Sequence, residues 1–246
     1  MSRTVSVTLV LLAALAIAGW AQDGILEVGI EWINVCSPCG NANLGCRDDV
    51  AVNFYNALVA DGYVGRFNFG NEWAWERDFK EPWDSTWIDT VDIAMHADHG
   101  NSCRFAFGET SHEDCRLRAT DGPRWGNLDL EWLILDDCSV LKPNFEWTCW
   151  EDAFRGLHLI CSFGATAHDS CSRGTHFANK LIDGWTVVQA WFYAAEQTEG
   201  AGTIASVMGA GNSSDDPYND HIWGHGSVCS DPYPATYYWC TFHHCN

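Results

Sequence analysis

The chain has 246 residues, of which 47% are hydrophobic, so it is long enough to form one domain with a sizeable core. It carries 13 Lys and Arg against 33 Asp and Glu, a formal net charge of −20. This charge argues against nucleic acid or an anionic membrane surface as a partner. It is compatible with a basic substrate, and equally with solubility in a salty or extracellular medium.

Residues 1–21 have the features of a secretory signal peptide. Arg3 supplies a positive charge, residues 5–18 form an apolar stretch, and residues 19–21 provide a small-x-small cleavage site. The alternative interpretation is an uncleaved membrane anchor. We expect a mature chain that begins near Gln22, lies outside the cytoplasm and makes no membrane contact once the signal is removed.

The chain contains 12 cysteines, which fits an oxidising compartment where disulfides persist. Three of them cluster in residues 36–46 and three in residues 229–245, while Cys103 and Cys115 bracket a short loop. Setting aside Cys138 and Cys161 leaves ten, an even number compatible with five disulfides. The pairing itself cannot be deduced from the sequence.

The predicted elements alternate between strands and helices. Strands are predicted at 25–33, 91–97, 130–137, 156–163 and 202–211, and helices at 48–63, 175–184 and 186–197. A Trp-rich irregular stretch follows the first helix, and residues 103–115 resemble a disulfide-pinned hairpin or loop. This alternation predicts a single α/β domain over 22–211 with a mostly parallel sheet. Residues 212–246 are rich in turns and cysteines, and we expect them to form an extension packed on that domain.

Two of the predicted strands end in a reactive side chain. His99-Gly100 follows the strand over 91–97, and Cys138 follows the strand over 130–137. The ends of neighbouring strands in an open sheet lie on one edge, where such sheets place ligands. A thiol needs a nearby base to become a thiolate at neutral pH, so these residues are a candidate nucleophilic dyad. The alternative is that Cys138 is a structural disulfide partner.

This order of motifs resembles the caspase-like cysteine peptidases, which include caspases, metacaspases, legumains and gingipains. Residues 174–197 also resemble the helical region that follows the catalytic strands in gingipain-type members. The chain is similar too to a group of secreted proteins of unknown function with a WLxLDxC motif, here residues 132–138. The resemblance covers roughly residues 25 to 211. The Gln-Ala-Cys-x-Gly signature of caspases is absent.

The resemblance implies a caspase-like three-layer α/β sandwich and an exported cysteine endopeptidase that acts on a protein or peptide. Cys138 would be the nucleophile, and His99 would protonate the leaving amine. The backbone N–H groups of Gly100 and Cys138 would form the oxyanion hole. Asp136 matches the metacaspase Asp of the specificity pocket, and would favour Arg or Lys before the scissile bond. Asp136 and Asp137 would also oppose ionisation of the neighbouring thiol.

Two other hypotheses follow from the residues. His96, Asp98 and His99 match most of the HxHxDH motif of metallo-β-lactamase-like hydrolases, with Ala94 in place of the first His, and this predicts a metallohydrolase. The chain could instead be a non-enzymatic protein that binds through its Trp-rich surface or assembles with itself. No cofactor is expected for the peptidase, although the acidic residues 213–220 offer oxygen ligands suited to calcium.

Overall fold

A computed structural model describes residues 23–246, and the segment interpreted as a signal peptide lies outside the described residues. The described chain forms a seven-stranded sheet with α-helices on one face and short turns and loops on the other. No helix within residues 23–246 is long and apolar enough to cross a membrane. The sheet and the helices packed on it confirm the predicted α/β class.

The central sheet is mostly parallel, as predicted. In chain order the strands are β1 (Glu27–Trp32), β2 (Val64–Gly70), β3 (Ile93–Ala97), β4 (Gly100–Asn101), β5 (Arg104–Ala106), β6 (Arg116–Arg118), β7 (Trp132–Leu135), β8 (Leu159–Phe163), β9 (Ile204–Gly211) and β10 (Tyr237–His244). Across the main sheet the order is β10-β9-β8-β7-β3-β1-β2, and the strands from β8 to β2 are parallel. Their carboxyl ends therefore meet at one edge. The short strands β4, β5 and β6 form a separate antiparallel sheet.

Helices cover one face of the sheet. They are α1 (Arg47–Asp61), α2 (Arg173–Ile182) and α3 (Val187–Thr198), which lie side by side and confirm the predicted helices. Phe54 of α1 stacks on Phe177 of α2 with ring centroids 5.7 Å apart, and Trp191 of α3 packs edge-on against Phe177. Thr186 caps the N-terminus of α3, and its hydroxyl accepts a hydrogen bond from the Gln189 N–H at 3.2 Å.

Aromatic side chains on short turns cover the opposite face. Trp125 and Trp150 are fully buried there and stack with centroids 5.6 Å apart, beside Phe79 and Phe105. The segments that carry these rings contain Asp, Gly and Pro without a helical period, which favours turns. Within the described residues this layer is built from 3₁₀ turns and loops, where a three-layer sandwich would have α-helices.

Disulfides tie the loops to the domain. Within residues 23–246 three are formed, Cys39–Cys115, Cys46–Cys171 and Cys103–Cys149. Cys103 and Cys115 therefore do not bond to each other; each joins the β5–β6 hairpin to another segment of the chain. Cys138 and Cys161 are free, as expected, but so are the three C-terminal cysteines and Cys36, so fewer bridges form than the even count allowed.

The C-terminal residues form part of the sheet. Strand β10 pairs antiparallel with β9 along its whole length, from Tyr237 opposite Gly211 to His244 opposite Ile204. The boundary predicted at residue 211 thus falls between two neighbouring strands of one sheet.

Candidate active site

The two predicted catalytic residues follow adjacent strands. Strand β3 pairs in parallel with β7, in a register that sets Ile93 opposite Trp132 and His96 opposite Leu135. His99 and Cys138 come three or fewer residues after these strands end. Both residues therefore lie at the carboxyl edge of the sheet, the edge at which open sheets bind ligands.

Gly100 brings the two strand ends into contact. A Cβ atom on this residue would lie 2.6 Å from the Cys138 carbonyl oxygen and 2.8 Å from both Asp137 Cβ and Val140 Cγ2. A residue with a side chain cannot occupy this position without moving backbone. Glycine therefore allows the chain after His99 to pack directly on the chain around Cys138.

The Cys138 thiol is partly buried and bonded to backbone. Its Sγ donates to the Ala167 carbonyl at 3.5 Å and accepts from the Ala167 N–H at 3.3 Å. Burial raises the pKa of the thiol above its usual value, and the charge of Asp137 raises it further, while the Ala167 N–H opposes the shift. The thiol is therefore protonated at neutral pH in this conformation.

The His99 ring is held by the loop that precedes α1. Its Nε2 lies 2.7 Å from the carbonyl oxygen of Ala42. A carbonyl can only accept, so Nε2 carries the proton and the neutral ring has its lone pair on Nδ1. No hydrogen bond joins His99 to Cys138 within the described residues. The structure thus places both groups at one edge but does not pair them.

Asp136 forms salt bridges with two arginines of the helical layer. Its carboxylate is fully buried, with Oδ1 at 2.5 Å from Arg173 and Oδ2 at 3.2 Å from Arg47. Arg173 also pairs with the buried carboxylate of Glu199, and Arg47 with Asp169. The charge of Asp136 is thus balanced inside the protein, and both of its oxygens face guanidinium groups.

Asp137 organises the residues of the histidine motif. Its Oδ2 lies 3.0 Å from His96 Nδ1, and its Oδ1 accepts the Asp98 N–H at 2.9 Å. The His96 ring is fully buried and contacts Phe79, Phe105 and Phe107. Burial raises the pKa of Asp137, and His96 opposes this shift. His96 therefore bonds Asp137 through Nδ1, and its buried Nε2 has no hydrogen-bond partner within the described residues.

A second cysteine, which the sequence did not single out, joins Asp98 and His99. Cys36 Sγ donates to Asp98 Oδ1 at 3.1 Å, and one donor atom from each of the three residues lies within 4.8 Å of the others. Burial raises the pKa of both the Cys36 thiol and the Asp98 carboxyl, the latter to about 6. In the sequence Cys36 looked like a further disulfide partner of its cluster, and nothing in its spacing indicated Asp98.

A cleft with a cationic wall opens beside His99 and Gly100. It has a volume of about 180 Å³, and its lining includes Asn41, Arg104 and Arg116. Arg104 and Arg116 project from the same face of the β5–β6 hairpin, since Arg104 pairs across from Arg118 and Ala106 from Arg116. Within the described residues neither arginine makes an ion pair, whereas Arg118 bonds Asp114 at 2.9 Å. These two arginines are thus available to an anionic group in the cleft.

The acidic segment considered for calcium is held by local hydrogen bonds. Asp216 accepts from the Tyr218 N–H at 3.0 Å and from the Tyr237 hydroxyl at 2.9 Å. Asp215 accepts from the Ser214 hydroxyl at 2.7 Å. Calcium binding at this segment stays a prediction.

The sequence matches one known protein family over most of its length. A family described as Domain of unknown function (DUF6345) matches residues 30–243. The chain belongs to this family. The match begins within β1 and ends within β10, and it includes both strand ends of the candidate site. A search of curated proteins found no match.

Proposed function

We propose that this DUF6345 protein is an exported caspase-like cysteine endopeptidase with Cys138 as nucleophile and His99 as its acid–base partner. One observation carries the proposal: the chain after His99 packs through Gly100 directly on the backbone of Cys138, at the carboxyl edge of adjacent parallel strands. The resemblance in motif order and the parallel sheet support the same assignment. The three disulfides support a location outside the cytoplasm.

In the proposed reaction the Cys138 thiolate attacks the scissile carbonyl and forms an acyl-enzyme, which water then hydrolyses. His99 takes the thiol proton at Nδ1 and transfers it to the leaving amine. The N–H groups of Gly100 and Cys138 stabilise the oxyanion, and such donors are typically worth about 3–4 kcal/mol each. At rest the thiol is protonated and bonded to Ala167, so its proton leaves when substrate brings the two side chains together. Catalytic hydrogen bonds commonly tighten in this way only in the substrate complex.

For the substrate we propose a peptide with an acidic side chain next to the scissile bond. Arg104 and Arg116 line the cleft beside His99 without ion-pair partners within the described residues. The opposite preference, for Arg or Lys, depends on Asp136, whose carboxylate is buried between Arg47 and Arg173. The net charge of −20 acts against acidic peptides at a distance, but salt screens it beyond about 8 Å at physiological ionic strength.

A peptide-cleavage assay tests both parts of the proposal. The mature protein is incubated with a peptide library, and the cleavage sites are read by mass spectrometry. We expect cleavage by the wild type, loss in Cys138→Ala and normal rates in Cys161→Ala, which removes a buried thiol inside β8. Arg104→Gln and Arg116→Gln should weaken cleavage next to Asp or Glu. Cleavage that persists in Cys138→Ala would refute the nucleophile, and cleavage after Arg or Lys would refute the acidic preference.

A second candidate function is binding without catalysis. Each catalytic candidate is bonded to a backbone carbonyl at rest, Cys138 to Ala167 and His99 to Ala42. Trp73, Trp83 and Phe145 also expose 62%, 49% and 76% of their surface, which suits an aromatic contact with a partner or a second copy. This candidate predicts that Cys138→Ala folds and binds as the wild type does.

A further inference from the structure

A buried thiol and a buried carboxylate lie next to each other at the carboxyl edge of the sheet. Cys36 is 0% and Asp98 is 2% exposed, and Sγ donates to Oδ1 at 3.1 Å. The other carboxylate oxygen, Oδ2, is buried and has no hydrogen-bond partner within the described residues. Folded proteins seldom leave a buried carboxylate oxygen in this state, so it requires an explanation.

His99 supplies a third donor to the same place. One donor atom each from Cys36, Asp98 and His99 lies within 4.8 Å of the other two. The bond from Nε2 to the Ala42 carbonyl leaves Nδ1 as the nitrogen with the lone pair. A histidine that binds a metal usually donates its other N–H to an oxygen in this way, which fixes the tautomer and the ring orientation.

The loop that carries Cys36 is held on both sides. Cys39 is bridged to Cys115 and Cys46 to Cys171, so the segment between residues 36 and 46 is attached to the hairpin and to the start of α2. Cys36 itself stays a free thiol among these bridged neighbours. The two bridges hold the loop that carries Cys36 in place, and a fixed ligand position is the main requirement of a preorganised metal site.

We propose that Cys36, Asp98 and His99 form a zinc site with its remaining coordination position open towards the cleft beside Gly100. Sulfur, nitrogen and oxygen donors together suit zinc, whereas calcium and magnesium select oxygen alone. Binding releases the thiol proton to solvent, and the thiolate and carboxylate then balance the dication without any oxidant or reductant. The group of donor atoms that lie within 4.8 Å of one another comprises Cys36, Asp98 and His99, and His96 is not a member of it.

A regulatory consequence rests on the proposed peptidase function. His99 cannot both bind zinc through Nδ1 and accept the Cys138 proton at that atom. Zinc should therefore inhibit cleavage reversibly, and a chelator should restore it. The metal site itself does not depend on this consequence, because it is defined by binding and not by catalysis.

Metal binding is tested on the mature protein after treatment with a chelator. Titration with Co²⁺ should give a thiolate-to-metal absorption band at one ion per chain, and titration calorimetry should show Zn²⁺ binding with proton release. Cys36→Ser should abolish the band and weaken Zn²⁺ binding by more than about 100-fold, beyond what loss of a supporting residue costs. Asp98→Asn should weaken it as well. Cys138→Ser and Cys161→Ser should bind as the wild type does.

Thermal unfolding provides a second measurement in case a variant is less stable. Zinc should raise the unfolding midpoint of the wild type and of Cys138→Ser, and leave that of Cys36→Ser unchanged. Unchanged Zn²⁺ affinity in Cys36→Ser would overturn the proposal. So would a cobalt band that is lost in Cys229→Ser instead, since that cysteine lies near His158 and Asp220 at another site. Because Cys138→Ser is inactive under the proposed function, normal zinc binding by this variant separates the two proposals.

Discussion

Replacing Gly100 by alanine tests the contact on which the candidate site depends. The added Cβ would lie 2.6 Å from the Cys138 carbonyl oxygen, while ordinary contacts begin near 3.4 Å. The backbone at Cys138 or at Gly100 must therefore move by about 0.8 Å, and such overpacking typically costs about 1–3 kcal/mol. Neither the carbonyl nor Val140 can rotate away as a flexible surface side chain would, so we expect a value within this range.

Gly200→Ala is a matched control, because a Cβ there would meet nothing within 4 Å. The two variants and the wild type are compared by urea unfolding with the disulfides intact. We expect Gly100→Ala to lower the free energy of unfolding by about 1–3 kcal/mol and Gly200→Ala to leave it within about 0.5 kcal/mol. Equal stability of the two variants would show that the strand ends are not in contact, and would remove the basis for pairing His99 with Cys138.

Three further predictions concern the rest of the molecule. Arg173→Met leaves the buried carboxylate of Glu199 without its guanidinium, so it should lower the free energy of unfolding by about 3–5 kcal/mol. The control Arg118→Ala removes a surface ion pair and should lower it by less than about 1 kcal/mol. Similar losses in the two variants would contradict the buried network. Burial raises the pKa of Asp89 to about 8, so the native state holds a proton that the unfolded state releases, and stability should fall as the pH rises from about 4 to about 8. Asp89→Asn should flatten that slope by up to about 1.4 kcal/mol per pH unit in urea unfolding at several pH values, and an unchanged slope would exclude Asp89 as its source. The Cys103–Cys149 bridge closes a loop of 46 residues, so its removal should lower the free energy of unfolding by about 4 kcal/mol on the chain-entropy estimate. Calorimetry that shows unchanged stability would mean that the bridge does not form.

Much of the fold could be predicted from local patterns. The helical spacing of apolar residues identified α1, and short apolar runs identified β1, β3, β7, β8 and β9. Strand β2 was missed because it is a sheet edge: of its seven residues, Phe67 alone is buried, so its side chains show no buried alternation. Strand β10 was missed for a similar reason, since it is the other edge and lies in a segment dominated by cysteines and turns.

The candidate site was predictable only in part. His99 and Cys138 could be recognised from the strands that precede them, because parallel strands deliver their carboxyl ends to one edge. The partners of Asp136 could not, since Arg47 and Arg173 lie 89 and 37 residues away along the chain and meet it through helix packing. Cys36 approaches Asp98 across a sequence separation of 62, and no local pattern encodes such a contact.

Covalent capture of Cys138 by a peptide with an electrophilic carbonyl group and an acidic residue before it tests most directly whether Cys138 is a nucleophile. The protein is labelled at neutral pH without reductant, and the modified residue is identified by mass spectrometry. We expect fast labelling of Cys138 by the peptide, slow labelling by iodoacetamide because the resting thiol is protonated, and loss of the fast reaction in His99→Gln. Equal and slow labelling by both reagents, with no effect of His99→Gln, would contradict a catalytic role for Cys138.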